Sequence, residues 1–355
     1  PLYHAGVYYA QEASSMILEK VLEKIELNSD FLALDLCAAP GGKSLILSDW
    51  LANNGLLISN EVIATRAKIL KENCIKWGCN NVLVSNSDPK KIAKSGVNFD
   101  LILIDAPCSG EGLFRKDPDS INEWSEENTH LCGLRQKRII ADIISQLNEN
   151  GYLIYSTCTY NPSENEEQLL WMEQEFQLEW QNMDELLTYG MIKKGQGYAF
   201  LAQENFGEGF YIALGKLTQK NLSSHKNKTE FKAFKNSKFK NIKAPKSYEL
   251  LESKDLQIFI PQGKKEIFNQ LLNSGIYFIN AGIWLDSNLN PSFEQCMIPD
   301  FIEDLPKYEL QISNALKYLK GEPVFDENWN NGWAIMSYKN VNLGPIKKMD
   351  KRSNN

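Results

Sequence analysis

Residues 31–44 read FLALDLCAAPGGKS, and this stretch decides the fold. Its apolar part, residues 31–36, predicts a buried β-strand. The pair Gly41-Gly42 predicts a tight turn, and a helix is predicted from about residue 43 to 51. Small residues at such a junction let a ligand approach the backbone closely, and the first helical turn offers unpaired N–H groups to an anion. Because the stretch lacks the GxGxxG and GxxxxGK[ST] patterns, it predicts either another kind of ligand-binding turn or a purely structural turn.

The alternation of strand and helix continues along the chain. Further strands are predicted at residues 56–59, 82–84, 99–104, 151–156 and 209–214. Helical spacing of apolar residues predicts helices over residues 13–27, 126–148 and 162–176. A further helix is predicted after the strand at 56–59 and ends at residue 77. This alternation predicts an α/β fold with a doubly wound, mostly parallel sheet. In such a sheet, ligands bind beyond the carboxyl ends of the strands.

Two acidic residues follow successive predicted strands. Glu61 ends the second strand about 20 residues after the turn, where an acid can accept hydrogen bonds from ribose hydroxyls. Asp88 follows the third strand, where an adenine edge would lie. Each acid alone is more often a solvated carboxylate or a helix cap. Together with the glycine turn, they predict a site for a cofactor that contains a nucleoside.

Two cysteines lie at the ends of two later strands. Cys108 stands in Asp105-Ala106-Pro107-Cys108, and Cys158 stands in Ser156-Thr157-Cys158-Thr159. Both would reach the sheet edge at which the cofactor is expected. Two thiols at that edge indicate covalent chemistry, although free cysteine is also a common small buried residue.

Composition narrows the class of protein. The seven cysteines are odd in number, no pair has CxxC spacing and the chain has three histidines. This pattern predicts free thiols in a reducing cytoplasm and argues against zinc or another metal site. No apolar run approaches the roughly 20 residues of a membrane span. We therefore expect a cytoplasmic protein without a membrane partner.

The charge is unevenly distributed. The net charge is −7, yet residues 218–246 carry nine lysines and one glutamate, interleaved with three phenylalanines. This segment is predicted to be a basic linker, serving either as a grip on RNA phosphates or as a solvated connection. From residue 247 onward, short apolar runs such as 276–279 alternate with turns. They predict a small, β-rich C-terminal module.

The stretch from Cys37 to Lys43, with the two cysteine motifs, resembles the Sun/nucleolar-protein family of S-adenosylmethionine-dependent RNA cytosine-5 methyltransferases. Residues 5–12 and 207–211 match the same family, over residues 1 to about 217. The remainder is similar to the C-terminal extension of the bacterial RsmF-like branch, which modifies small-subunit ribosomal RNA. The resemblance implies a Rossmann-like class I methyltransferase domain over 1–217 and a PUA-like RNA-binding α+β module over 247–355. Family members usually carry an upstream RNA-binding segment, so we expect this chain to be truncated.

The resemblance also implies roles for individual residues. Cys158 is the nucleophile that adds to carbon 6 of cytosine, and Cys108 assists proton removal and release of the product. Asp105 would hydrogen-bond the N3/N4 edge of the base and supply a proton. In DNA cytosine methyltransferases the nucleophile is in the position of Cys108, so exchanged roles are the alternative. S-adenosyl-L-methionine would be bound by Cys37, Ala38, Ala39, Pro40, Gly41, Gly42, Lys43, Glu61, Arg66, Asp88 and Asp105.

The expected activity is thus methylation of cytosine carbon 5 in RNA. The leading expectation for the substrate is 16S ribosomal RNA. A transfer-RNA methyltransferase with the same core is the first alternative. A catalytically silent RNA-binding factor for ribosome assembly is the second, although retention of both cysteines and Asp105 argues against it. We expect a monomer, since nothing in the sequence requires an oligomer.

Overall fold

The computed structural model describes residues 1–202, 207–218, 246–253, 256–284, 290–298, 301–302, 304–349 and 352–354. Its strands are β1 Phe31–Asp35, β2 Gly55–Asn60, β3 Val82–Ser85, β4 Phe99–Asp105, β5 Leu147–Thr157, β6 Leu178–Trp180, β7 Ile192–Lys194, β8 Gly197–Phe200, β9 Phe210–Leu217, β10 Tyr248–Ser253, β11 Leu256–Pro261, β12 Phe278–Ala281, β13 Ile283–Trp284, β14 Lys307–Glu309, β15 Gly332–Tyr338, β16 Val341–Met349 and β17 Arg352–Asn354.

The α-helices are α1 Leu18–Leu22, α2 Gly42–Leu51, α3 Ala64–Trp77, α4 Pro89–Lys94, α5 Ser120–Glu123, α6 Glu126–Ile143, α7 Glu166–Phe176, α8 Lys265–Leu272, α9 Phe293–Met297 and α10 Ile312–Leu319. Single 3₁₀ turns lie at Ser14–Ile17, Glu111–Leu113, Ile144–Gln146, Pro162–Glu164 and Asp184–Tyr189. Most helices of the first 180 residues connect parallel strands, which is the connection that a doubly wound sheet requires.

The main sheet has the strand order β12-β3-β2-β1-β4-β5-β9-β8-β7, with β6 also paired to β9. Its centre, β3-β2-β1-β4-β5, is parallel. Strands β1, β2 and β3 are buried along their whole length, as expected when helices cover both faces. The predicted α/β doubly wound fold is therefore confirmed, with antiparallel strands added at both edges.

Two predicted helices are shorter than expected. The helix predicted over 13–27 consists of a 3₁₀ turn and α1, and its first turn is capped by the Glu12 carboxylate, which accepts the N–H groups of Ser14 and Ser15. The helix predicted over 126–148 ends at Ile143. It ends early because Leu147 already pairs with Phe99 as the first residue of β5.

One strand assigned to the C-terminal module lies elsewhere. Within the run predicted at 276–279, residues Phe278 and Ile279 begin β12, which pairs antiparallel with β3 at the edge of the main sheet. The contact is reinforced by Tyr277, whose N–H donates to Ser87 Oγ at 2.9 Å, and by Lys71 Nζ, which donates to Ile279 O at 3.2 Å.

The rest of the C-terminal part forms two small sheets, β10-β11-β13 and β14-β15-β16-β17. The β-rich character predicted from residue 247 onward is confirmed. Most of the predicted basic linker, residues 219–245, lies outside the described residues.

Candidate active site

The strand order brings the predicted motifs together. Strand β1 lies between β2 and β4, and β4 pairs with β5, so the carboxyl ends of these strands share one edge. The glycine turn follows β1, Asp105 ends β4, and Cys158 follows β5 immediately. Residues that are more than a hundred positions apart in the sequence thus meet at one site.

The turn after β1 is fixed by its neighbours. The Ala39–Pro40 peptide bond is cis, and Gly41 has a φ of 122°, a conformation that L side chains rarely adopt. Arg66 Nη2 donates to Ala39 O at 2.8 Å, and Asn73 Nδ2 donates to Pro40 O at 2.8 Å. Two side chains of α3 therefore fix the position of the turn through hydrogen bonds to its carbonyl groups.

Asp35 lies beneath this turn, and the sequence did not single it out as a site residue. Its side chain is fully buried, and Oδ2 accepts a hydrogen bond from Ser44 Oγ at 2.7 Å. Oδ1 is buried without a hydrogen-bond partner. Burial raises the pKa of Asp35 to about 7, and the nearby Asp105 adds to the effect.

A cleft of about 190 Å³ opens above the turn. It is bounded on one side by the segment before the first 3₁₀ turn and on the other by the turn itself. Its lining residues are Tyr9, Ala10, Gln11, Glu12, Ser15, Asp35, Cys37, Ala38, Ala39, Pro40, Gly42, Lys43, Asp105 and Lys116. Gly41, Glu61, Arg66 and Asp88 are not among these residues.

Glu61 and Arg66 nevertheless belong to the same structural unit. Glu61 is 3% exposed; its Oε1 accepts the N–H of Ile63 at 2.9 Å, and its Oε2 lies 3.3 Å from Arg66 Nη1. Because Arg66 also bonds Ala39 O, it couples Glu61 to the turn. Asp88 is exposed and caps α4 by accepting the N–H of Lys90 at 2.9 Å. Its contact with an adenine stays a prediction.

Asp105 is held from two sides. Lys43 Nζ donates to its Oδ2 at 2.8 Å, and Ser156 Oγ donates to its Oδ1 at 2.7 Å. Burial alone lowers the pKa of Lys43, but the carboxylates of Asp105 and Asp35 outweigh that effect and raise it. A thiolate at Cys158 favours the charged ammonium of Lys43 in the same way. A fixed positive charge therefore lies close to Cys158.

The two cysteines face each other. Cys108 Sγ and Cys158 Sγ are 3.1 Å apart, and both residues are partly exposed. The hydrogen bond with Cys158 raises the pKa of Cys108 well above its usual value, and burial raises it further. A pair of thiols at this distance can share a proton, so one sulfur can act as a nucleophile while the other stays protonated.

Residues after Cys158 support this pair, and the sequence analysis did not identify them. Asn165 accepts a hydrogen bond from Thr157 Oγ1 at 2.6 Å and donates to Thr159 O at 3.0 Å, so it fixes the backbone on both sides of Cys158. Glu164 is fully buried against the loop of Cys108. A run of polar residues directly after a strand-end motif, Ser163-Glu164-Asn165, marks them as candidates but does not show what they contact.

Among the described residues, no group of three or more His, Cys, Asp or Glu side chains is arranged to hold a metal ion. In the described part of the chain, no helix is both long and apolar enough to cross a membrane.

The chain matches two family models. Residues 22–216 match the model described as 16S rRNA methyltransferase RsmB/F, and residues 305–355 match the methyltransferase RsmF PUA domain. A ribosomal RNA small subunit methyltransferase F from Shewanella loihica is 30% identical over 378 residues, which cover 99% of this chain and 76% of that protein. The protein of the same name from Escherichia coli K12 is 36% identical over 225 residues, or 61% of this chain. The matched region spans 46% of the E. coli protein.

Solved structures resemble the first part of the chain. NSun6 from Pyrococcus horikoshii, crystallised with SFG, is 28% identical with a TM-score of 0.54, covering 61% of this chain and 55% of that chain. A methyltransferase homolog protein from P. horikoshii is also 28% identical, with a TM-score of 0.52, covering 61% of this chain and 70% of that chain. These similarities agree with the Rossmann-like methyltransferase fold and the PUA-like C-terminal part that the sequence predicted.

Proposed function

The chain belongs to the RsmB/F family of 16S rRNA methyltransferases, and on this premise we propose that it methylates carbon 5 of a cytosine in 16S ribosomal RNA. The methyl donor is S-adenosyl-L-methionine, and the reaction passes through a covalent cysteine–cytosine intermediate. The observation that carries this proposal is the pair of thiols 3.1 Å apart, at the same sheet edge as Asp105. Methyl transfer to oxygen or to an exocyclic nitrogen would need neither thiol.

The chemistry explains why thiols are needed. Carbon 5 of cytosine is a poor nucleophile toward a methyl group. When the Cys158 thiolate adds to carbon 6, an S–C6 bond forms and electron density moves to carbon 5. Carbon 5 is then nucleophilic enough to accept the methyl group that a bound cofactor would supply. Loss of the carbon 5 proton returns electrons to the ring and expels the thiolate from carbon 6.

Cys108 is placed to serve the second half of this reaction. The hydrogen bond with Cys158 and burial raise the pKa of Cys108, which favours its protonated form, and we assign the attacking thiolate to Cys158. Once Cys158 is bound to carbon 6, its charge no longer opposes ionisation of Cys108. We therefore assign to Cys108 assistance in removing the carbon 5 proton and releasing the product.

Asp105 is assigned to hydrogen-bond the cytosine, and Lys43 is assigned to stabilise the negative charge of the thiolate. Each carboxylate oxygen can accept more than one hydrogen bond, so Asp105 retains capacity to bond the N4 amino group while it is fixed by Lys43 and Ser156. The ammonium of Lys43 favours the thiolate of Cys158 electrostatically.

The cleft fits the proposed cofactor. Asp35 lines the cleft, and its Oδ1, which is buried without a hydrogen-bond partner, can accept a hydrogen bond from a donor such as the ammonium group of S-adenosylmethionine. Cys37, Ala38, Ala39, Pro40, Gly41, Gly42 and Lys43 would surround its amino-acid part. Glu61, positioned by Arg66, would bond the ribose, and Asp88 would face the adenine. When bound, the cofactor provides a methyl group on a positively charged sulfur.

The proposal also assigns a function to each segment of the chain. Residues 1–217 carry the chemistry and 247–355 add RNA contacts, while the nine lysines of the predicted basic linker, residues 218–246, supply positive charge that favours RNA phosphates. The protein acts as a cytoplasmic monomer.

The test is methyl transfer with a nucleoside readout. The chain is incubated with S-adenosylmethionine labelled in its methyl group and with small-subunit rRNA, assembled small subunits or transfer RNA. The RNA is then digested to nucleosides. We expect label in 5-methylcytidine from the small-subunit samples, and none with Cys158→Ala. Label in transfer RNA alone would support the first alternative, and cofactor binding without transfer to any RNA would support a silent assembly factor.

A further inference from the structure

A chain of four polar side chains ties the loop of Cys108 to the loop of Cys158. Glu164 Oε1 lies 2.5 Å from Ser109 Oγ, which lies 2.9 Å from Thr159 Oγ1. Thr159 Oγ1 lies 3.0 Å from Glu111 Oε2. Because Ser109 and Thr159 each follow one of the two cysteines directly, this chain sets how close the two sulfurs stand.

The hydrogens in this chain can be counted. Three oxygen–oxygen contacts need three hydrogens, and the hydroxyls of Ser109 and Thr159 supply one each. The third must come from one of the two carboxyl groups. Glu111 already accepts from Trp124 Nε1 at 2.8 Å and from the Tyr160 N–H at 3.0 Å, so both of its oxygens act as acceptors.

Glu164 is the carboxyl group that can supply the third hydrogen. Its side chain is fully buried, and burial raises its pKa. The titratable groups that interact with it electrostatically include Glu111, Cys108, Cys132 and Tyr155, none of which is a cation, while Arg135 of α6 acts on the neighbouring Cys132. Hydrogen bonds from Ser109 and Gln136 favour the ionised form of Glu164, but burial and the interaction with Glu111 outweigh them and favour the neutral acid.

We propose that Glu164 is a positioning residue of the two-cysteine site, and that it works as a neutral carboxylic acid that donates its proton to Ser109. All hydrogen bonds of the chain then run in one direction, from Glu164 through Ser109 and Thr159 to Glu111. The other oxygen, Oε2, accepts from Gln136 Nε2 at 2.9 Å and from the Ser109 N–H at 3.0 Å. Each hydrogen and each acceptor in the chain is used.

The neutral form of Glu164 favours formation of the Cys158 thiolate. This step of the argument rests on the proposed function. A thiolate must form at Cys158, and a second negative charge nearby would oppose it. Ionisation of Glu164 would add that charge and remove one hydrogen bond between the two loops. Activity should therefore decline at the alkaline pH at which Glu164 loses its proton.

The test compares two substitutions. In Glu164→Gln, the amide N–H donates to Ser109 Oγ and the amide oxygen accepts from Gln136, so the neutral acid is imitated. Glu164→Ala leaves Ser109 and Gln136 unpaired. We expect methyl transfer within about threefold of wild type for Glu164→Gln, no alkaline decline, and a loss on the order of tenfold to a hundredfold for Glu164→Ala, which is the range for leaving buried partners unpaired. Glu167→Gln, on the exposed side of α7, is the matched control.

A second measurement does not depend on activity. The infrared difference spectrum between wild type and Glu164→Gln at neutral pH should contain the carbonyl band of a protonated carboxylic acid. A carboxylate band in its place, or equal losses for Glu164→Gln and Glu164→Ala, would overturn the proposal. Failure of the proposed function is distinguishable, since it would appear as absent transfer by the wild type itself.

Discussion

Asp35 shows how a single residue can be costly to the fold and useful to the site. A carboxyl group with one unpartnered, fully buried oxygen destabilises the folded state. Its position in the wall of the cleft explains why the fold tolerates it, because a donor on the cofactor would complete its hydrogen bonds. The buried Asp35 therefore lowers the free energy of unfolding of the cofactor-free protein.

The first prediction concerns the pH dependence of that cost. The pKa of Asp35 is raised from 3.8 to about 7 in the folded protein. Between these values the folded protein holds a proton that the unfolded chain has released, so the free energy of unfolding falls as pH rises. Relative to Asp35→Asn, the cofactor-free wild type should lose up to about 4 kcal/mol between pH 4 and pH 8. Urea titrations of both variants measure it; parallel pH profiles would contradict it.

At the residue scale, the sequence predicted the groups that belong to local motifs. Cys108, Cys158 and Asp105 each follow a recognisable strand, and the structure places them together. The supporting residues were not predictable in this way. Glu164 and Gln136 take their roles from contacts between loops and a helix that are distant in sequence, and no local pattern encodes such a contact.

At the scale of elements, the short 3₁₀ turn Glu111–Leu113 fixes the backbone of Cys158. Its Gly112 N–H donates to Cys158 O at 2.9 Å, and Gly112 O accepts the N–H of Gly209 at 3.1 Å. A Cβ at Gly112 would lie 2.6 Å from Gly209 O, 2.8 Å from Cys158 O and 2.8 Å from Gly209 Cα, and all three are backbone atoms that cannot rotate away.

The second prediction follows from this close approach. Gly112→Ala should displace the backbone of Cys158 and lower methyl transfer on the order of a hundredfold, the usual effect of an error of about 1 Å in a catalytic group. Affinity for S-adenosylhomocysteine, measured by calorimetry, should stay near that of wild type. Gly133→Ala is the control, since its added carbon would make only ordinary contacts at 3.4 Å. Equal activity of the two variants would show that the turn does not position Cys158.

The order of the elements was predictable, and their ends were less so. Apolar runs and helical spacing locate each strand and helix of the central sheet because burial on both faces demands them. The end of α6 at Ile143 was missed, since it depends on Leu147 pairing with Phe99. Pairing partners across a sheet are not visible in a local pattern.

At the scale of the whole molecule, β12 connects the two halves of the chain. It covers the edge of β3, so backbone groups at that edge are paired and protected from solvent. The sequence predicted this run as part of a separate module because its alternation with turns matches that of its neighbours. Which distant segments pair at the edge of a sheet depends on tertiary contacts, and a local sequence pattern does not encode those contacts.

The third prediction tests that connection. A chain ending at residue 217 should unfold at a lower temperature than the full chain, because the edge of β3 loses its partner. The expected fall is about 2–4 °C for each kcal/mol lost in a domain of this size. A chain ending at residue 284 keeps β12 and should unfold closer to the full chain. If calorimetry gives the two shortened chains equal midpoints, β12 contributes nothing to the stability of the main sheet.

The most direct test of the chemistry is a denaturing gel with the two cysteine variants. Wild type, Cys108→Ala and Cys158→Ala are incubated with small-subunit RNA and S-adenosylmethionine. With Cys158 as nucleophile and Cys108 as the release residue, a slowly migrating protein–RNA adduct accumulates with Cys108→Ala and is absent with Cys158→Ala. An adduct that forms with Cys158→Ala, or the absence of any adduct with Cys108→Ala, would contradict this assignment.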